Sequence, residues 1–191
     1  QIFNVKKKTN CSIFDLKIQV VGSKIYKVKN IQVNLLGDHN VTNATASIAI
    51  ALNLGIKIGI IKRALKKFSG IQRRFTKVFS IDNKDFYDDY AHHPTEIRAV
   101  INSARQVYAD RKIICVFQPH RYSRIKSLKK EFALSFKLSN EVVLCPIYAA
   151  GEKVDSNFSQ DYFSQLISKK SGIQVINIKN KNELKNFLKK N

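Results

Sequence analysis

Residues 112–124 read KIICVFQPHRYSR, and this stretch decides the fold. Its first half is an unbroken apolar run rich in β-prone residues, as expected of a strand buried on both faces in a parallel sheet. Its second half is polar and opens a helix-compatible stretch that extends from about 125 to 138. Downstream the pattern repeats: EVVLC (141–145), the loop PIYAAGEK (146–153), a helix over 159–169, the strand GIQVINI (172–178) and a helix over 181–189. Strands alternating with helices predict an α/β fold, a Rossmann-like and mostly parallel sheet with flanking helices.

Working back toward the N-terminus, Ile97, Val100, Ile101, Ala104 and Tyr108 recur at helical spacing after Pro94, a residue suited to a first helical turn. Residues 75–89 predict a hairpin turning around Asp82-Asn83-Lys84. A helix over 57–68, with Ile58, Ile61, Leu65 and Phe68 on one face, is broken by Gly70. Val41, Ala44, Ile48 and Leu52 mark another, stopped at Gly55. Residues 13–36 read as short antiparallel strands with a turn at Gly22-Ser23. The change of character places a domain boundary near 70–75, dividing 1–72 from 73–191. No internal repeat or low-complexity tract is evident.

Composition narrows the function classes. The 191 residues are 44% hydrophobic, enough for one core or two small ones. No apolar run approaches the ~18 residues of a membrane span, and no secretory signal pattern is present. Gln1 rather than Met stands first, so the chain is expected to begin inside a longer protein. Cys11, Cys115 and Cys145 are widely spaced and read as small hydrophobes of a reducing cytoplasm. The net charge of +20 would suit nucleic acid. However, the lysines are scattered and travel with Asn and Ile, which reads as compositional drift with a share left to serve anionic substrates. No nucleic-acid-binding motif accompanies them, and neither nucleic acid nor membrane is expected as a partner.

The polar residues collect in three places. All four histidines fall in GDHNVTNA (37–44), DDYAHHPTE (88–96) and FQPHRYSR (117–124). The last two are each read as starting where a strand ends and leading into a helix N-terminus. Ligands of open parallel sheets bind outside the carboxyl strand ends, and helix N-termini favour anions. Together with PIYAAGEK, these loops predict one shared site for a polyanion or a carboxylate. A metal site is the weaker alternative, since adjacent His92 and His93 are poorly placed to chelate one ion. No Ser or Cys stands beside a His in a nucleophile elbow.

GDHNVTNA, GIQRRF (70–75) and DDYAHHPTE, in this order, resemble the Mur ligases. FQPHRYSR and YAAGE (148–152) are similar to the members that add L-alanine, and differ from the members that recycle murein tripeptide. The resemblance covers about 30–155 strongly. It implies that 1–72 ends a central ATP-binding domain and that 73–191 is a C-terminal domain, incomplete at its end. The family's phosphate loop is expected upstream, since no G-K-[ST] pattern occurs here, and so are most ligands for Mg2+.

The implied activity is ATP-dependent ligation of L-alanine to UDP-N-acetylmuramate through an acyl phosphate, in cytoplasmic peptidoglycan precursor synthesis. These residues alone would be inactive. The resemblance further implies that His39, Asn40 and Asn43 contact adenine, Arg74 the nucleotide and Asp89 the ribose. Tyr90 and His92 would face the amino acid, while His120, Arg121 and Arg124 would hold its carboxylate and the reacting centre. His92, His120, Arg121 and Arg124 are the catalytic candidates. Asn40 doubles as a helix N-cap candidate, and His93 reads as structural, a helix cap. The alternatives are the recycling ligase and a basic nucleic-acid-binding module.

Overall fold

The structure, a computed structural model, describes residues 1–8, 10–19 and 25–190. They fall into two compact units, residues 1–90 and 91–191.

The first unit opens with three antiparallel strands in the order β1 (Ile2–Lys7), β2 (Ser12–Gln19) and β3 (Ile25–Val33). The expected turn at Gly22-Ser23 lies outside the described residues. The first strand was not legible, because IFNVKK carries only three apolar residues. Pairing with β2 supplies what its own pattern lacks. Phe14, Leu16, Ile31 and Val33 face helix α1 (Asp38–Asn53), whose Val41, Ala44, Ile48 and Leu52 are all buried as their spacing requires. Helix α2 (Ile58–Lys67) adds Ile61, with Ile58 and Leu65 half-buried beside it. Phe68 departs from expectation. It ends α2 in an extended conformation and is 42% exposed, because the chain has already turned away from the helix face. A hairpin follows, β4 (Thr76–Ile81) and β5 (Lys84–Asp88), forming a separate two-stranded sheet. Its turn residues Asp82 and Asn83 have φ of 47° and 61°, the left-handed pair that matches strand twist.

The second unit is α3 (Pro94–Val107), β6 (Ile114–Phe117), α4 (Tyr122–Ser127), α5 (Lys129–Leu134), β7 (Glu141–Leu144), α6 (Gln160–Ser171), β8 (Gln174–Asn177) and α7 (Lys181–Lys190). The strands form a parallel sheet in the order β6-β7-β8. Every residue of the central β7 is buried. Phe117, Phe132, Phe136, Phe163 and Ile167 surround it, with Ile97 and Ile101 of α3. Each such side chain contributes about 1.5–3 kcal/mol on burial.

Three expectations are corrected. Strand β6 is not buried on both faces: it lies at the edge of the described sheet, and Val116 is 44% exposed. The helix expected over 125–138 is two short helices, interrupted at Leu128 (φ −117°, ψ 26°) and ending at Leu134. Periodicity missed the break because Ile125 and Phe132 both still face the core. Finally, the loop 88–96 does not follow a strand of the parallel sheet, because β5 belongs to the antiparallel hairpin. The loops after β6 and β7 do open at one edge of one sheet, bridged between His120 and Tyr148.

Candidate functional site

In the first unit, α1 begins at Gly37, whose backbone (φ 92°, ψ 145°) suits glycine alone. Asn40 is in the first turn and is not the N-cap; its Nδ2 donates to Leu36 O at 2.8 Å, fastening the entry loop. Arg73 and Phe75, flanking Arg74, both have positive φ, 59° and 49°. The Asp89 carboxylate holds this turn by accepting the Phe75 N–H at 2.7 Å, and Phe75 stacks on Tyr87 with centroids 4.4 Å apart. Left-handed non-glycine residues held by outside bonds concentrate at functional sites. An open cleft of about 270 Å³ lies here, with Leu35, Leu36, Asn40, Arg74, Phe75 and Lys77 among its walls.

His39 belongs to the same neighbourhood. Burial holds its pKa below the ordinary imidazole value; Asp89 and Asp38 pull it up, and Arg74 pushes it down. Thus His39 feels the charges of Asp89 and Arg74, while Asn40 and Arg74 share the cleft. Asn43 does not join them: it is exposed on α1, and its carbonyl accepts from Ser47. Tyr90 carries the Arg73 guanidinium over its ring at 4.7 Å, and Arg73 Nε lies 3.5 Å from Asp88.

In the second unit, His93 caps α3, its Nδ1 accepting the Thr95 N–H, as expected of a structural residue. Glu96 accepts the N–H groups of His92 and His93 at 3.0 and 3.2 Å and lies 3.6 Å from His92 Nδ1. This turns the His92 ring toward His120, with centroids 5.9 Å apart. On the other side of His120 are Tyr148, at 5.1 Å between rings, and Arg124, whose Nη1 is 3.4 Å from His120 Nδ1. Burial lowers the His120 pKa first, followed by Arg124, His92 and Arg121; Glu152 alone opposes them. Arg121 and Arg124 therefore set positive charge beside the His92 and His120 rings, a grouping suited to a carboxylate or phosphate.

Arg121 occupies a conformation (φ 70°, ψ 128°) close to that of Gly37, each at the N-cap of its helix. One helix uses glycine there; the other keeps an arginine at a cost of about 1–3 kcal/mol. Tyr148 and Glu152 were missing from the candidate residues, although their loop had been singled out. Their signal was the position of YAAGE just beyond β7, beside the loop that holds His120. Among the described residues, no group of three or more His, Cys, Asp or Glu side chains is arranged to hold a metal ion.

A sequence model described as Mur ligase, glutamate ligase domain, matches residues 73–190. The chain is 48% identical over 188 residues to the UDP-N-acetylmuramate–L-alanine ligase of Pelagibacter ubique (strain HTCC1062), covering 98% of this chain and 40% of that protein. It is 41% identical over 159 residues to the enzyme of that name from Rhizobium meliloti (strain 1021), covering 83% of this chain and 34% of that one. The crystal structure of UDP-N-acetylmuramate–alanine ligase from Thermotoga maritima superposes with a TM-score of 0.72 at 27% identity, covering 97% of this chain and 38% of that one. Folylpolyglutamate synthase of Mycobacterium tuberculosis shares the fold alone, with a TM-score of 0.71 at 13% identity. The chain spans about two fifths of the length of these relatives.

Proposed function

Because this chain belongs to the Mur ligase family, we propose that it supplies amino-acid-binding and nucleotide-binding residues to a ligase that joins L-alanine to UDP-N-acetylmuramate. The observation that carries this reading is the gathering of His92, His120, Arg121 and Arg124 around one point of the second unit. Within the family, such a group suits the carboxylate of an amino-acid substrate.

Arg121 and Arg124 bind that carboxylate, their planar forks matching its two oxygens. Arg124 donates to Nδ1 of His120, so the neutral ring carries its proton on Nε2 and offers a donor to the reacting centre. Glu96 fixes His92 from the first turn of α3. In the first unit the residues fit a nucleotide. Asn40 and Arg74 line an open cleft, where the Asn40 amide suits a purine edge, while Asn43 lies apart from it. His39 and Asp89 lie in the same electrostatic neighbourhood, and Asp89 takes the ribose hydroxyls. ATP, when bound, supplies the phosphoryl group that activates the lactyl carboxylate for attack by the amine. The described residues offer no cluster of His, Cys, Asp or Glu for Mg2+, and no step is assigned through it. The ligase domain begins near residue 73, and the reaction belongs to the cytoplasm.

The test is phosphate release by the full-length protein with ATP, UDP-N-acetylmuramate and L-alanine. Turnover that requires all three, with the polypeptide of residues 1–191 at background, is the expected result. Turnover with a murein tripeptide but not with L-alanine would overturn the assignment.

A further inference from the structure

The loop that carries His120, Arg121 and Arg124 does not hold itself in place. Helix α4 is only six residues long, and its N-cap, Arg121, makes no side-chain capping bond. No acidic residue stands in its first turn. An isolated helix this short is unstable in water, and its first N–H groups need partners from elsewhere. Those partners come from the loop after β7. Glu152 accepts the Ser123 N–H at 3.1 Å with one oxygen and the Ser123 hydroxyl with the other. The backbones of the two loops are also joined: Arg121 N–H donates to Tyr148 O at 2.9 Å, and Tyr148 N–H donates to Pro119 O at 2.8 Å. The main-chain bonds end at Arg121, so the helical turn that carries Arg124 is held to the neighbouring loop by the Glu152–Ser123 pair.

We propose that Glu152 is a positioning residue: by clasping Ser123 from the neighbouring loop, it sets the orientation in which Arg121 and Arg124 flank His120. It acts through α4 and does not touch the substrate. A carboxylate bonded at once to a backbone N–H and a hydroxyl is fixed in direction and supplies the negative charge that a helix N-terminus favours. Its hydrogen bonds to Ser123, against an opposing effect of burial and helped by the Tyr122 N–H and the charge of Arg121, hold its carboxyl below the usual carboxylate range. The clasp therefore does not open at ordinary pH. Glu152 is also the one group that counteracts Arg124, His92 and Arg121 at the His120 ring.

The inference rests on the proposed ligase reading for its kinetic test, and a second readout is independent of turnover. In the full-length protein, Glu152→Gln keeps the size of the side chain but loses the charge and one acceptor. The expected result is a rise of roughly ten-fold in KM for L-alanine, with KM for ATP unchanged. Glu152→Asp keeps the charge but cannot span both Ser123 atoms, so it gives partial rescue. Ser123→Ala removes only the hydroxyl contact. It shifts KM for L-alanine in the same direction by a smaller factor, and it carries the test if Glu152→Gln does not fold. The second readout is the titration of the His120 ring, followed by NMR on histidine-labelled protein. Loss of the Glu152 charge lowers its midpoint, since burial, Arg124, His92 and Arg121 then act on the ring unopposed by Glu152. Active variants with unchanged KM for L-alanine, or with only a lower melting temperature, would overturn the inference and leave the ligase reading intact. A wild-type protein without L-alanine-dependent turnover would overturn the ligase reading; an unmoved His120 midpoint in Glu152→Gln would then overturn the clasp as well.

Discussion

Arg121→Gly separates the stability of α4 from its chemistry, because the two are expected to move in opposite directions. Arg121 sits at φ 70°, ψ 128°, a region that costs a non-glycine residue about 1–3 kcal/mol. Glycine adopts it freely but gives the unfolded chain more freedom, at a cost of about 0.4–1 kcal/mol. The balance is a protein between unchanged and about 2.6 kcal/mol more stable. No side-chain bond at the N-cap is lost, since Arg121 makes none there, and its N–H to Tyr148 O is kept. The loss falls on the ligand instead. Removing one charge-assisted contact to a carboxylate costs about 1.5–3 kcal/mol, roughly ten- to hundred-fold in kcat/KM. Because Arg121 is exposed, the lower end of that range is expected. The assay is steady-state kinetics of the full-length protein at two salt concentrations, with thermal melts alongside and Lys130→Ala as a control for general positive charge. Arg121→Lys should recover only part of the loss, since lysine keeps the charge without the fork. If Arg121→Gly retained kcat/KM within about two-fold, or if Lys130→Ala gave an equal, salt-sensitive loss, the carboxylate role would be refuted.

Asp89→Asn should raise KM for ATP by roughly ten-fold while leaving KM for L-alanine unchanged; equal changes in both would show that the turn at Phe75 had simply collapsed. Gly70→Ala should lower stability by about 1–2 kcal/mol in a melt, because φ is +95° and the added Cβ would meet Leu35 Cδ2 at 2.8 Å. His39, its pKa lowered by burial, binds a proton more readily when unfolded. Stability should therefore be full above the ordinary imidazole value and fall with acid through the lowered one. His39→Gln should flatten that part of a stability-against-pH curve, and an unchanged slope would show that His39 is not its source.

Much of this architecture could be read from local pattern. Val41, Ala44, Ile48 and Leu52 lie on one helical face and are buried together, because a helix has a single period and one apolar stripe must find a core. The hairpin turn at Asp82-Asn83 was legible for a similar local reason, since these residues tolerate left-handed backbone. The histidine- and arginine-rich loops were visible as chemistry because polar residues clustered just beyond apolar runs. Other features depended on contacts distant in the chain. Burial of β6 was misjudged because its sequence cannot reveal how many strands lie beyond it in the sheet. Helix α4 was merged with α5 because a backbone break at Leu128 leaves the apolar spacing intact. His92 and His120 were expected to meet at one sheet edge. They do lie side by side, but His92 is turned by the cap of α3 and does not follow a strand of that sheet. Glu152 shows the limit most clearly. It is 29 residues from Ser123, and only the parallel pairing of β6 with β7 brings their loops together. Residue type and spacing determined which groups could bind an anion; the strand order determined which of them face one another and what holds them still.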